Sequence, residues 1–294
     1  MKIAFIGCVA LSRAVLGRII GLPGVEIVGV ASRRASAVNA DFAPLDGLAE
    51  KAAAPIFYTD DKPQAELAAW LRERRPDVIY CIGWSSLLGR DVLNVAPLGV
   101  LGFHPSALPD NRGRHPLIWA LALGLDQTAS TFFMMDEGAD TGDIVDQVPV
   151  GITPDDDAAS LYDKVTEVAL TQIDRITEAL RRGQLQRRPQ PTDSGNAWRK
   201  RGKADGQIDW RMSARSIHNL VRALTRPYVG AHCLHRGQEI KIWRTRPLDG
   251  AAKSLEPGKV LGCEDGSLVV KCGEGSIQVM QHEFALLPET GSYL

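Results

Sequence analysis

The chain has 294 residues, 45% of them hydrophobic and 23% charged, with 34 Lys and Arg against 35 Asp and Glu for a formal net charge of −1. That balance fits a globular chain of one large or two modest domains, excludes a disordered or collagen-like one, and argues against the broad basic surface that nucleic-acid phosphates require. The opening MKIAFIGCVALSRAVLGRII interrupts any leader-like apolar run with charge and a Gly turn, and no stretch approaches the length of a membrane span, so a cytoplasmic protein is expected. Five cysteines, Cys8, Cys81, Cys233, Cys263 and Cys272, lie far apart and never in C-x-x-C spacing, which encodes neither a disulfide framework nor a metal site.

In chain order, Lys2 to Gly7 reads as a buried strand, Leu11 to Ile20 as a helix and Val25 to Val30 as a second strand, with Ser32 to Asp46 a polar surface loop. The amphipathic stretch Pro63 to Arg74 precedes a third strand at Pro76 to Ile82, and Leu98 to Phe103 makes a fourth. This alternation is the pattern of βαβ units around a parallel sheet. HPSALPDNRGRHP follows, and its prolines and Gly call for a long shaped loop rather than a regular element. Pro116 to Leu123 reads as a short helix ended by Gly124, and Thr128 to Met135 and Asp143 to Val150 as strands around the acidic turn DEGADTG. Thr153-Pro154 and three aspartates start a helix on which Leu161, Val165, Val168, Ala169, Ile173, Ile176 and Leu180 keep a helical period up to Arg181-Arg182-Gly183. Gln184 to Gly206 is rich in Arg, Pro and Gln and reads as a linker. Beyond it come a helix around Ala214 to Leu224 and five short alternating runs separated by turns such as EDGS and GEGS. The fold class expected is therefore α/β: a Rossmann-like, mostly parallel sheet domain over 1–183, a linker over 184–206, and a small β-rich, OB-like C-terminal domain over 207–294.

The first βα turn, FIGCVALSRA, invites a dinucleotide-binding reading, but only Gly7 is present, with Val9 and Ser12 where the other two glycines would stand. A nicotinamide cofactor is not expected, although the helix N-terminus stays open to an anion. The stronger signal is GFHPSALPDNRGRHPLIWALALG followed by DEGADTGDI. It places His104 at the C-terminal end of an expected parallel strand, where open α/β sheets bind their ligands, and Asp140 on a Gly-flanked turn beside a neighbouring strand.

These motifs, together with DGQIDWRMSARSIHNLVRALTRPYVGA in the second half, resemble the formyltransferases that use 10-formyltetrahydrofolate, a family that includes methionyl-tRNA formyltransferase and the sugar N-formyltransferases. The resemblance covers nearly the whole chain. It implies a catalytic pair, His104 and Asp140, with His104 taking the proton of an attacking amine and Asp140 orienting it. The family's asparagine, two residues before the histidine and a donor to the oxyanion, has no counterpart, because that position is Gly102. Ser106, Asn111, a backbone N–H or protonated His104 are the candidate substitutes. The resemblance further implies a pterin pocket lined by Trp84, Leu87 and Leu88 and by Asp136, Glu137 and Gly138, and an anionic substrate steered by Arg112 and Arg114. Where the tRNA enzymes carry a basic insertion after the second strand, this chain has SRRASAVNADFAPLDGLAEKAAAP, and NADF-x-x-L-x-x-LA resembles the small-substrate branch. The expected acceptor is the amine of a nucleotide-linked amino sugar, with methionyl-tRNA the runner-up, kept in view by Arg215, Arg222 and Arg226, and a folate-binding module without turnover the reading from another class. A homodimer is compatible with the sequence and is not dictated by it.

Overall fold

The computed structural model describes residues 1–36, 40–191, 193–250 and 253–294, so Asn39 of the NADF motif lies outside the described residues. The chain divides into two compact units, one of residues 1–116, 128–150 and 163–198, the other of residues 117–127, 151–162 and 199–294.

In the first unit, β1 (Lys2–Ile6) leads through α1 (Ala10–Ile20) to β2 (Glu26–Ser32). Then α2 (Asp46–Lys51), β3 (Ile56–Tyr58), α3 (Gln64–Arg74), β4 (Val78–Cys81), α4 (Arg90–Leu93) and β5 (Val100–His104) follow. A two-residue strand β6 (Arg112–Gly113) sits in the long loop, and α5 (Pro116–Ala122), β7 (Gln127–Met134), β8 (Ile144–Gly151) and α6 (Ala158–Arg181) come after it, α5 beyond Pro116 and residues 158–162 of α6 being counted with the second unit. The sheet order is β3-β2-β1-β4-β5-β7-β8, with the five strands from β3 to β5 parallel and β7 antiparallel to β5. Strands buried on both faces must be apolar throughout, and Ile3, Ala4, Phe5 and Ile6 of β1 are indeed 0% exposed. The apolar stripe of α6 packs as its period requires: Val165, Ala169, Ile173, Ile176 and Leu180 are all buried, each large side chain contributing roughly 1.5–3 kcal/mol. Tyr80 of β4 is fully buried and its hydroxyl meets Thr177 Oγ1 at 2.9 Å, which satisfies the one polar atom the phenol brings into the core.

The region expected to be a loop over Ser32 to Asp46 leads into α2 and β3, neither of which the sequence reading contained. The expected linker carries structure as well. Arg188 pairs with Ile144, and β9 (Ala197–Trp198) pairs with β6 in parallel.

In the second unit a 3₁₀ turn (Lys203–Gly206) precedes α7 (Ala214–Leu224), whose Ser213 cap accepts the Ser216 N–H at 3.0 Å. Five antiparallel strands follow: β10 (Ala231–His235), β11 (Gln238–Leu248), β12 (Val260–Glu264), β13 (Ser267–Lys271) and β14 (Ser276–His282), in the order β10-β11-β14-β13-β12. The EDGS turn works as its composition requires, with both central residues in the left-handed region (Asp265 φ 48°, Gly266 φ 75°). Among the described residues no ladder joins β10 to β12, so this is an open sheet rather than a closed barrel. Also among the described residues, no helix is long and apolar enough to cross a membrane, and no group of His, Cys, Asp and Glu is placed to hold a metal ion.

Candidate active site

The parallel strands end in a row of loops, and in the first several backbone donors are already taken. Ser12 Oγ accepts the N–H groups of Cys8 (3.2 Å) and Val9 (3.1 Å) and donates to Ile82 O at 2.6 Å. The Ala10 N–H donates to Asp41 O at 2.9 Å, so the N–H groups of residues 8–10 are engaged within the protein rather than turned to an anion. Cys8 and Cys81 are buried beside this turn, and burial pushes the Cys81 thiol far above its ordinary value, so it is no nucleophile.

His104 closes β5 opposite Thr131 of β7 and is only 5% exposed. Its Nε2 lies 2.9 Å from the carbonyl of Asn111, so that nitrogen carries the proton and donates, which leaves the lone pair on Nδ1. Nδ1 faces Asp140 Oδ2 at 3.6 Å, beyond hydrogen-bond length yet within reach of an ion pair once the ring is protonated. The same Oδ2 accepts the Gly113 N–H at 2.9 Å. Both oxygens that flank the imidazole come from residues in the left-handed region, Asn111 (φ 64°) and Asp140 (φ 59°), residue types that tolerate it. The structure thus brings the expected pair together.

The loop between them is rigidly held. Thr131 Oγ1 donates to Ser106 O (2.6 Å), Gln147 Nε2 donates to Leu108 O (2.9 Å), and Ser106 Oγ donates to Asp110 O (3.0 Å). With Ser106 fully buried and engaged, it offers no donor to a substrate. The Asn111 carboxamide has no hydrogen-bond partner recorded among the described residues, whereas its backbone N–H donates to Asn196 Oδ1 at 2.8 Å. Gly102 is not an empty place: a Cβ there would stand 2.7 Å from Met135 Cγ and 2.9 Å from Phe133 Cζ.

The residues expected to line the cofactor separate into two kinds. Trp84 is half-buried with the Arg33 guanidinium stacked 4.8 Å from its ring centroid, and Leu87 is exposed. Leu88, by contrast, is buried in the core with Leu67, Leu71 and Val92, so only its backbone can meet a ligand. Asp136 Oδ1 accepts from Gly138 N (3.0 Å) and Thr141 Oγ1 (2.6 Å), shaping its own turn. Gly138 is there because a Cβ would lie 2.0 Å from Thr141 Oγ1. Glu137 pairs with Arg90, which ties the acidic turn to the end of the GWSSLL loop. Gln64 clips that loop too, donating to Leu87 O and accepting from Gly89 N, both at 2.7 Å.

Of the two arginines expected to meet substrate, Arg114 is exposed, with its backbone N–H donating to Trp198 O at 3.0 Å. Arg112 is engaged within the protein, donating from Nη2 to Gln190 Oε1 (2.8 Å) and from Nη1 to Ser194 O (3.4 Å). Gln64, Gln147, Gln190 and Asn196 were invisible to sequence reasoning, since an amide in a polar stretch carries no periodicity or motif.

Two family models match this chain: the formyl transferase domain over residues 1–176 and the formyl transferase C-terminal domain over residues 200–286. A structure of HypX from Aquifex aeolicus is 21% identical with a TM-score of 0.67 over 96% of this chain, which spans only 44% of the HypX chain. WlaRD, a sugar 3N-formyl transferase solved in the presence of dTDP and 5-N-formyl-THF, is 16% identical with a TM-score of 0.69, covering 97% of this chain and 99% of its own. An N-formyltransferase from Helicobacter canadensis, in complex with folinic acid and dTDP-3-aminofucose, is 15% identical with a TM-score of 0.71 over 95% of this chain and 98% of its own. At these identities the structural likeness speaks for the fold, whereas the two family models together match most of the sequence. The chain belongs to the formyl transferase family.

Proposed function

We propose that the protein transfers the formyl group of 10-formyltetrahydrofolate to the amine of a nucleotide-linked amino sugar. The observation that carries this reading is the imidazole of His104, buried at the end of β5 with a free lone pair on Nδ1 and the Asp140 carboxylate 3.6 Å away. The amine nitrogen attacks the formyl carbon, the C=O pair moves onto oxygen, and the amine proton passes to Nδ1, where the carboxylate balances the new charge. Collapse of the oxyanion then breaks the carbon–N10 bond, N10 takes a proton, and tetrahydrofolate and the N-formyl product leave.

A small acceptor is favoured over tRNA because four of the arginines that would have to face phosphates are engaged on their own chain, while Arg114 and Arg215 stay exposed. Arg33 stacks on Trp84 and Arg34 on Tyr58, 3.9 Å from the ring centroid. Arg222 is buried, donating to Thr153 O at 3.0 Å and Asp156 O at 2.9 Å, and Arg226 stacks 4.5 Å from the Trp243 centroid. A second reading, folate binding without turnover, is favoured by the apolar filling beside Gly102. The test is a pooled assay of nucleotide-linked amino sugars with 10-formyltetrahydrofolate, read by a gain of one formyl mass. A formylated sugar supports the proposal, efficient formylation of methionyl-tRNA at physiological salt overturns the acceptor, and folate binding with no formylated amine favours the second reading.

A further inference from the structure

The two residues whose oxygens flank the His104 ring, Asp140 and Asn111, are both held at their backbone from one distant segment, by Gln190 and Asn196. Gln190, half-buried, donates from Nε2 to Asp140 O (2.9 Å) and Gly142 O (2.7 Å), while its Oε1 accepts from Arg112 Nη2 (2.8 Å) and Nε (3.3 Å). One carboxamide therefore ties the turn that carries Asp140 to the strand whose Gly113 N–H holds the Asp140 carboxylate. On the other side, Asn196 Oδ1 accepts the Asn111 N–H (2.8 Å) and Asn196 O accepts the Arg112 N–H (3.0 Å), fixing the residue whose carbonyl takes the His104 Nε2 proton.

The fit between segment and loop is made backbone to backbone. A Cβ on Gly195 (φ +90°) would lie 2.1 Å from Pro109 O, and one on Gly113 (φ +98°) 2.4 Å from Trp198 O, so two glycines permit the approach. The stretch falls between the two matched family domains, which end at 176 and begin at 200.

We propose that Gln190 and Asn196 are positioning residues for the His104–Asp140 pair: Gln190 sets the Asp140 carboxylate on the Nδ1 side and Asn196 sets the Asn111 carbonyl on the Nε2 side. The kinetic part rests on the formyl-transfer reading. Misplacing a catalytic group by about an ångström from a distant site costs up to about 10²-fold in rate. Gln190→Leu is therefore expected to lower kcat by about 10- to 10²-fold with KM for both substrates changed less than about threefold. Gln190→Glu keeps the Arg112 contact and the shape but turns a carboxylate toward two carbonyls, so it should lose as much. Asn196→Asp keeps the Oδ acceptor and should retain the parent rate, whereas Asn196→Leu should not.

Because Gln190 acts through Asp140, Gln190→Leu should cost nothing further in an Asp140→Asn background. A full, additive loss there, or a Gln190→Glu protein as fast as the parent, would overturn the proposal. Amide hydrogen exchange at Gly113 gives a readout without turnover: it should quicken in Gln190→Leu while exchange in β1 and β4 is unchanged. Unchanged exchange at Gly113 overturns the brace itself. If the parent formylates no amine, the function reading falls while the exchange result still decides the positioning claim.

Discussion

Gly102→Asn inserts the side chain that the family resemblance leads one to expect, into a place the structure shows to be filled. Gly102 is buried in β5 between Cys81 of β4 and Phe133 of β7. Its new Cβ would meet Met135 Cγ at 2.7 Å and Phe133 at 2.9 Å (Cζ) and 3.1 Å (Cε1). Phe133 is 2% exposed and packed with Leu108 and Ile144, so its ring has nowhere to go, and Met135 must turn aside. Overpacking of this kind costs about 1–3 kcal/mol. A correctly placed donor would be worth about 10²–10³ in rate, but only if its amide reached the oxyanion, and the backbone shift that relieves the clash moves it off that line. The expected result is a less stable protein with an unchanged or lower rate, measured by urea unfolding and initial rates of formyl transfer. Gly102→Asn combined with Met135→Ala, which removes the flexible neighbour, should recover part of the packing cost. A rate gain of about 10² or more in the single variant, with stability equal to the parent, would refute the reasoning by showing that the place is open.

Three further outcomes follow from particular side chains. His104→Ala should lower formyl transfer by about 10²–10⁴ and, because it removes the donor to the half-buried Asn111 carbonyl, lower stability by about 1 kcal/mol; equal rates remove His104 from the mechanism. In the folded protein iodoacetamide should modify Cys263 alone, since it is the exposed thiol while burial pushes Cys233 up to about 11 and Cys272 up to about 12; a second adduct on intact protein by mass spectrometry contradicts this. His218 and His232 are both held below the ordinary imidazole value of 6.5, His218 by burial and then by Arg222, His232 chiefly by burial. The unfolded chain therefore binds more protons than the folded one as pH falls below that value, so stability should decline from there, with a shallower slope in His218→Asn; a flat profile between about pH 8 and about pH 5 refutes it.

The architecture was legible where packing imposes a period. The strands β1, β2, β4 and β5 of the parallel sheet, the stripe on α6 and four of the five strands after α7 lie within a residue or two of the sequence reading, with β11 running three residues further, because a buried face must be apolar at fixed intervals. The misses have a common cause as well. The helix α2, the strand β3 and the β6–β9 pair are short elements whose side chains, Ala49 apart, are only half-buried or exposed, so tertiary contacts rather than pattern decide them. The segment Gln184 to Gly206, expected to be a linker, contains the division between the two units at 198/199 but also carries pairing that composition does not show. Arg, Pro and Gln do mark a segment with no core of its own, but its backbone groups still need partners, and they find them on β8 and on β6.

The candidate site divides along the same line. His104 and Asp140 could be read because each stands beside strong punctuation, Pro105 and the D-T-G turn, that places it at a strand end. What surrounds them could not. A glycine at position 102 looks like a missing donor in one dimension, and only the register that sets Phe133 opposite it and Met135 beyond shows that its space is taken by apolar side chains. Arg112 looks like a substrate clamp until Gln190, 78 residues away, is found accepting from it. Removing Ser106, Arg112 and position 102 from the set of groups able to meet an oxyanion leaves, among the side chains of the 104–113 loop, the ring of His104 and the carboxamide of Asn111. On the formyl-transfer reading proposed above, the charge formed on oxygen is then met by the His104 ring at the end of β5, by Asn111 or by a backbone N–H and not from position 102, which makes the segment that holds Asn111 part of the site's geometry.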